Sequence, residues 1–188
     1  MNITNEFLVI TNNKDIKGIL KGEYVATASS TASSASSTSS AIKAFGNING
    51  SWQSQVAYDN GKYVGGERPN LYFTTTTTMG EKINGEWLEI KLPYKLQITT
   101  YTIPDQSSLT KFTLLGTNDG SAWTIVDRRP SQTQNSNVTG NGNYEVSPDK
   151  KRQFNIFRIV FEALSENNDR INIGEIKING LKPRINLA

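Results

Sequence analysis

Catalysis near neutral pH most often starts from an imidazole or a thiolate, and this chain has neither, since it contains no histidine and no cysteine. Ser-His-Asp hydrolysis, Cys-His chemistry, HExxH metal sites, thiolate-bound zinc and disulfides are all excluded. What remains is carboxylate chemistry of the glycosidase kind, in which two Asp or Glu side chains flank one bond. Glu86 with Glu89 and Asp59 with Glu67 are candidate pairs. Glu86 and Glu89 have opposite parity, so in a regular strand they point to opposite faces and cannot act together. A glycosidase stands as the rival reading, and a non-catalytic binding protein as the leading one.

The elements that would carry such residues come from a composition ordinary for a globular chain, with 36% hydrophobic and 20% charged residues and a mean hydropathy of -0.47. No apolar run approaches the roughly 20 residues that span a bilayer. The N-terminus lacks a basic n-region and has only the short apolar run Phe7 to Ile10, so a secretory signal is expected to be absent or already removed. The net charge is +3 and unevenly placed: 7 basic and 8 acidic side chains up to residue 90, then 13 and 9. The excess lies in Arg128-Arg129, Lys150-Lys151-Arg152, Lys182 and Arg184. Solvated basic loops account for it. Nucleic acid through this C-terminal half is an alternative partner, but no aromatic stacking platform interleaves the charges.

Alternation is the dominant pattern. In EWLEIKLPYKLQITTYTI, Leu88, Ile90 and Leu92 alternate with Trp87, Glu89 and Lys91; Pro93-Tyr94 reads as a turn, and Leu96, Ile98 and Thr100 alternate again. Further strands are expected at Lys111 to Leu115, Ala122 to Val126, Phe154 to Phe161 and Ile171 to Ile178, with a short one at Glu6 to Thr11. Thr74 to Thr78 is expected to continue a strand begun at Leu71. Asn118-Asp119-Gly120 is tight-turn chemistry, and 132–144 is a loop by composition. The Ala/Ser/Thr tract from Val25 to Ser40 is either a linker or a strand running into a surface loop, and the second is favoured. With no helical periodicity, these short strands predict an all-β sandwich. Trp52, Trp87 and Trp123 are read as packing residues.

Three ordered blocks then carry a resemblance: VATASST with AIKAFGNINGSWQSQ, GEWLEIKLPYKLQITTYTI, and KFTLLGTNDGSAWTIVDRR leading to FRIVFEALSENNDRINIGEIKING. Together they are similar to the discoidin, or coagulation-factor C-type, galactose-binding-like domains. The resemblance implies a discoidin-like jelly-roll β-sandwich over residues 23–180, with an N-terminal arm at 1–22 and a C-terminal tail at 181–188. It also implies a structural calcium, for which Asn47, Ser51 and Glu175 would be the ligands, although AFGNINGSW lacks the Asp of the family opening. It further implies a shallow polar ligand site on loops at one end of the sandwich, at Gln53, Asp105, Gln106, Asn167 and Asn168, where Tyr58 or Tyr72 could add an apolar face. The histidine and arginine that galactose-binding relatives use there are missing. The expected partners are a glycan or other protein subunits. In style the chain resembles discoidin-like modules of viral capsids and phage fibres, where the arm would reach a neighbouring subunit.

Overall fold

The fold was obtained as a computed structural model that describes residues 6–8, 24–32, 41–45, 51–66, 72–104, 109–130, 142–147 and 152–181. Among the described residues fourteen strands run in chain order: β1 (Glu6–Leu8), β2 (Val25–Ala28), β3 (Trp52–Gln53), β4 (Tyr58–Asp59), β5 (Lys62–Tyr63), β6 (Thr74–Thr76), β7 (Lys82–Asn84), β8 (Glu86–Thr102), β9 (Leu109–Thr117), β10 (Thr124–Arg129), β11 (Asn143–Glu145), β12 (Phe154–Leu164), β13 (Asn172–Ile173) and β14 (Lys177–Leu181). A single 3-10 turn, Ala41–Ala44, is the one helical element among the described residues. The all-β jelly-roll expectation holds. Val25–Ala28 is a strand, which favours the strand reading of the Ala/Ser/Thr tract, although 33–40 lie outside the described residues.

One sheet is ordered β2-β8-β12-β9-β10, the other β1-β14-β8-β11, and all these pairings are antiparallel. β8 belongs to both sheets. Its first part pairs with β12 and β2, its last part with β14 and β11. The turn expected at Pro93-Tyr94 is therefore a bend inside one 17-residue strand. Against β12 the register slips there, Lys91 facing Ile156 while Leu96 faces Phe154. A bulge suits a residue without an N–H and lets a strand turn the corner between two sheets. A second slip leaves Thr99 unpaired between Ile98, opposite Gly180, and Thr100, opposite Asn179. The buried set accordingly moves from Leu96 and Ile98 to Tyr101 and Ile103, and Thr100, expected to face inward, is half-buried.

The main core fills the space between the sheets with Leu88, Ile90, Leu92, Phe112, Leu114, Phe157, Ile159, Phe161, Tyr101 and Ile178. A smaller cluster, Ile83, Leu115, Trp123, Ile156 and Val160, lies on the other face of β12 and β9. The β6–β7 hairpin covers that face, which explains why β12 reads as apolar on both sides. The β7 strand was not anticipated, and β6 starts at Thr74 rather than at Leu71.

Within the outer cluster the guanidinium of Arg158 lies 4.1 Å from the ring centroid of Trp87 and 4.3 Å from that of Trp123. It donates to Glu89 Oε2 from Nε (3.0 Å) and Nη2 (2.7 Å), and to the Thr75 hydroxyl from Nη1 (3.0 Å). Trp123 is buried and Trp87 half-buried, in line with their packing role. The Asn118-Asp119-Gly120 turn is also as expected: the Asp119 carboxylate accepts the Ala122 and Ser121 amides and the Thr117 hydroxyl, and Gly120 has φ 79°. Those hydrogen bonds, the Ala122 amide foremost, hold the Asp119 carboxyl well below the usual carboxylate range.

The strand in the N-terminal arm, expected to be free for a neighbouring chain, is paired within its own. β1 runs antiparallel to β14, with Glu6 opposite Gly180 and Leu8 opposite Ile178. Without it β14 would present an open row of N–H and C=O groups, and covering that edge is what a short extra strand does. The boundary drawn after residue 22 therefore does not separate β1 from the sheet.

Candidate functional site

Short strands at one end of the sandwich bring three connections together. β3 pairs antiparallel with β13, placing Gln53 opposite Asn172 and Trp52 opposite Ile173. Beyond β3 the Ser54 amide donates to Ile171 O (3.0 Å), and the Ala57 and Tyr58 amides donate to Asp169 O (2.9 and 3.1 Å). In return the Ile171 amide donates to the Ser54 hydroxyl at 3.0 Å. Segment 52–58 is thus zipped to the connection between β12 and β13. The third connection, leaving β8, arrives at Pro104, whose Cγ lies 3.9 Å from where a Cβ on Gly174 would stand. The anchor below is Trp52, fully buried, stacked on Phe161 at 6.0 Å between centroids and donating its indole N–H to Ser30 O at 3.0 Å.

Of the expected ligand residues, Gln53 is half-buried at this end, and its carbonyl accepts the Ala32 amide at 3.0 Å. Asn167 is exposed in the left-handed region, φ 71°, a backbone that asparagine tolerates at a turn. Asn168 has a role within its own loop. Its amide nitrogen donates to the Ser165 hydroxyl at 2.7 Å and to the Ser165 carbonyl at 3.3 Å, so it closes the loop. Asp105 and Gln106 lie outside the described residues.

Asn172, which the resemblance does not single out, is exposed beside Gln53. Its signal was present in the alternation Ile171-Asn172-Ile173, where two buried isoleucines force the asparagine outward. The aromatic face is divided between residues. Tyr58 is core and donates to Phe161 O at 2.7 Å, whereas Tyr72 is 52% exposed and packs on Tyr63 at 5.0 Å. Burial pushes the Tyr63 phenol up to about 12.

The crossing expected to hold calcium is present in outline: the Ile176 amide donates to Ala44 O at 2.6 Å, joining the 3-10 turn to the start of β14. Ser51 enters β3 half-buried, and Asn47 lies outside the described residues. The Glu175 carboxylate faces Lys177 Nζ at 3.6 Å. Calcium takes about six to eight oxygens, commonly with several carboxylates. Among the described residues no three Asp or Glu side chains stand together, and of the implied ligands Ser51 and Glu175 are described.

The carboxylate pair considered for glycosidase chemistry is split by the sheet. Glu86 is fully buried, and its Oε2 accepts the Ser29 (2.5 Å) and Ser30 (2.6 Å) hydroxyls while Oε1 has no partner; Glu89 points to the opposite face and holds Arg158. Asp59 is exposed, and Glu67 lies outside the described residues. Burial raises the Glu86 carboxyl above its ordinary value, against the lowering effect of the two serine hydroxyls. The folded state therefore binds this proton more tightly than the unfolded chain. The stability so gained is present at low pH and is lost as pH rises from the ordinary carboxylate range through the raised value. We expect wild type to lose stability relative to Glu86→Gln across that window, read as urea midpoints measured against pH for both proteins. A difference between the two that does not change with pH would contradict the raised value.

Among the described residues several basic side chains of the C-terminal half are engaged within the fold. Arg128 pairs with Glu81 (2.7 Å), and Arg129 pairs with Asp127 (2.8 Å) and lies over Tyr144. Lys150, Lys151, Lys182 and Arg184 lie outside the described residues.

No family model matches the chain, and no curated protein matches it. Solved structures do. The C-terminal domain of a chitobiase from Bacteroides fragilis is 14% identical with a TM-score of 0.59, over 95% of this chain and 100% of that one. The family 32 carbohydrate-binding module of Clostridium perfringens NanJ, in complex with galactose, is 15% identical with a TM-score of 0.51, over 83% and 93%. Chitosan-binding module 1 from a chitosanase/glucanase of Paenibacillus sp. IK-5 is 16% identical with a TM-score of 0.52, over 83% and 94%. At these identities the likeness is one of fold, a jelly-roll β-sandwich.

Proposed function

We propose that this chain is a non-catalytic carbohydrate-binding module that meets a neutral glycan with the loop end of its sandwich. The observation that carries the reading is the convergence of three connections there, with Gln53, Asn167 and Asn172 at the surface above a fully buried Trp52. Amide side chains both donate and accept, which is what paired sugar hydroxyls need. The glycans named with the similar structures, galactose and chitosan, define the first ligands to try. Glu86 and Glu89 are turned to opposite faces and each is engaged there, and this supports recognition over hydrolysis.

A shallow polar site of this kind binds weakly on its own, at about millimolar Kd, and gains strength through repeated presentation. In NMR titrations with galactose and chitosan oligomers we expect amide shifts at Gln53, Asn167, Asn172 and Gly174. Gln53→Ala and Asn172→Ala should each weaken binding by about 1 kcal/mol, roughly fivefold. Absence of any shift at these four residues with neutral sugars, together with silence on a high-valency glycan array, would overturn the reading.

A further inference from the structure

A second concave surface lies away from the loop end, between the turn of the β6–β7 hairpin and edge strand β10. It encloses about 420 Å³. The hairpin turn is fixed to the edge strand because the Thr78 amide donates to Trp123 O at 2.8 Å and Thr77 bridges Trp123. Val126, the extra residue of a bulge between Ile125 and Asp127, lines the groove with Ile125 and Phe154. Gly116 is what lets the Phe154 ring lie where it does, since a Cβ there would come within 2.2 Å of the ring. The floor is therefore apolar and held in place from below.

The rim is polar, and its charges do not cancel. Glu81 is already engaged by Arg128 at 2.7 Å. Arg152 is exposed, lines the groove, and has no ion-pair partner among the described residues. Thr78 and Thr124 contribute hydroxyls that bond no other described residue, and Thr77 accepts the Glu81 amide at 3.1 Å. A free guanidinium selects a carboxylate or phosphate, which its fork of N–H groups matches. Free hydroxyls over an apolar floor, in a volume well above that of a lone inorganic anion, select a ligand with both hydroxyls and a hydrocarbon face.

We propose that this groove binds an acidic saccharide, a hexuronate unit whose carboxylate pairs with Arg152 while its hydroxyls meet Thr78 and Thr124 and its ring lies on Ile125. The site is separate from the loop end and does not depend on it. A chain carrying both would hold a polysaccharide of mixed neutral and acidic units at two points.

The test is an NMR titration of the full chain with digalacturonate, with neutral digalactose, and with inorganic phosphate. The expected result is that digalacturonate shifts the amides of Thr77 to Met79, Thr124 to Val126 and Arg152. Arg152→Gln should weaken that binding about tenfold. Because Arg152 is exposed, its replacement leaves the fold intact, and an unchanged amide spectrum outside the groove checks this. Gln53→Ala, which should impair neutral-sugar binding at the loop end, should leave the digalacturonate affinity as it is. The proposal is overturned if the groove amides do not move, if digalactose binds there as well as digalacturonate, if Arg152→Gln binds like wild type, or if phosphate alone reproduces both the shifts and their strength.

Discussion

Trp52→Ala is expected to lower the unfolding free energy by about 4 kcal/mol or more, the largest effect of any single side chain near the loop end. The ring is fully buried between the loops and the core, so its removal leaves a cavity against Phe161. It also strands the Ser30 carbonyl, which loses the indole N–H that it accepts at 3.0 Å. Large-to-small replacement of a buried tryptophan costs about 3–5 kcal/mol, and an unpaired buried acceptor adds about 1. For a domain of this size the melting temperature should fall by about ten degrees or more. Trp52→Phe keeps the ring contact and loses only the hydrogen bond and some volume, so about 1–2 kcal/mol is expected. A loss in Trp52→Ala no larger than in Trp52→Phe would mean that the ring is not the anchor described. Thermal melts of the three proteins decide the matter.

Arg158→Ala should be nearly as costly, by about 3–4 kcal/mol, although it lies on the opposite face of the sheet. With 16% and 19% of their side chains exposed, Arg158 and Glu89 are buried enough that removing one partner leaves an uncompensated charge. Two tryptophan faces also lose the cation between them, each contact worth about 1 kcal/mol. Arg158→Lys should recover little, because an ammonium can neither stack flat between Trp87 and Trp123 nor donate twice to one carboxylate oxygen. Removing both charges together, as Arg158→Met with Glu89→Leu, should be milder than Arg158→Ala alone, since no buried charge is then left unpaired. Chemical denaturation of these three variants and of the single Arg158→Met and Glu89→Leu would detect this, and a strictly additive double variant would count against it.

Much of this architecture could be read from residue types. The alternation of Leu88, Ile90 and Leu92, and of Phe157, Ile159 and Phe161, announces a buried face, and the structure buries all six. What alternation cannot carry is a change of register. Pro93 looks the same in a turn as in a bulge, because both places tolerate a residue without an N–H; only the pairing of β8 with both sheets distinguishes them. The same limit hid the slip at Thr99 that turns Tyr101 inward. Arg158 read simply as the polar member of a half-buried strand, since nothing local to it names Trp87, Trp123 and Thr75, which arrive from distant segments. At the loop end, Gln53 and Asn167 were legible as polar loop residues. For Asn168 the sequence does not show that its amide also closes its own turn on Ser165, because that depends on loop geometry.

The corner strand has a consequence for how the molecule can come apart. Two sheets connected only by loops could open one at a time, each as its own cooperative unit. Here the same backbone supplies the hydrogen bonds of β2 and β12 over its first part and those of β11 and β14 over its last. Withdrawing β8 dissolves both layers at once, and leaving it in place preserves the spine of each. The sandwich is thereby expected to unfold as a single unit, with amide exchange on one half of β8 about as slow as on the other.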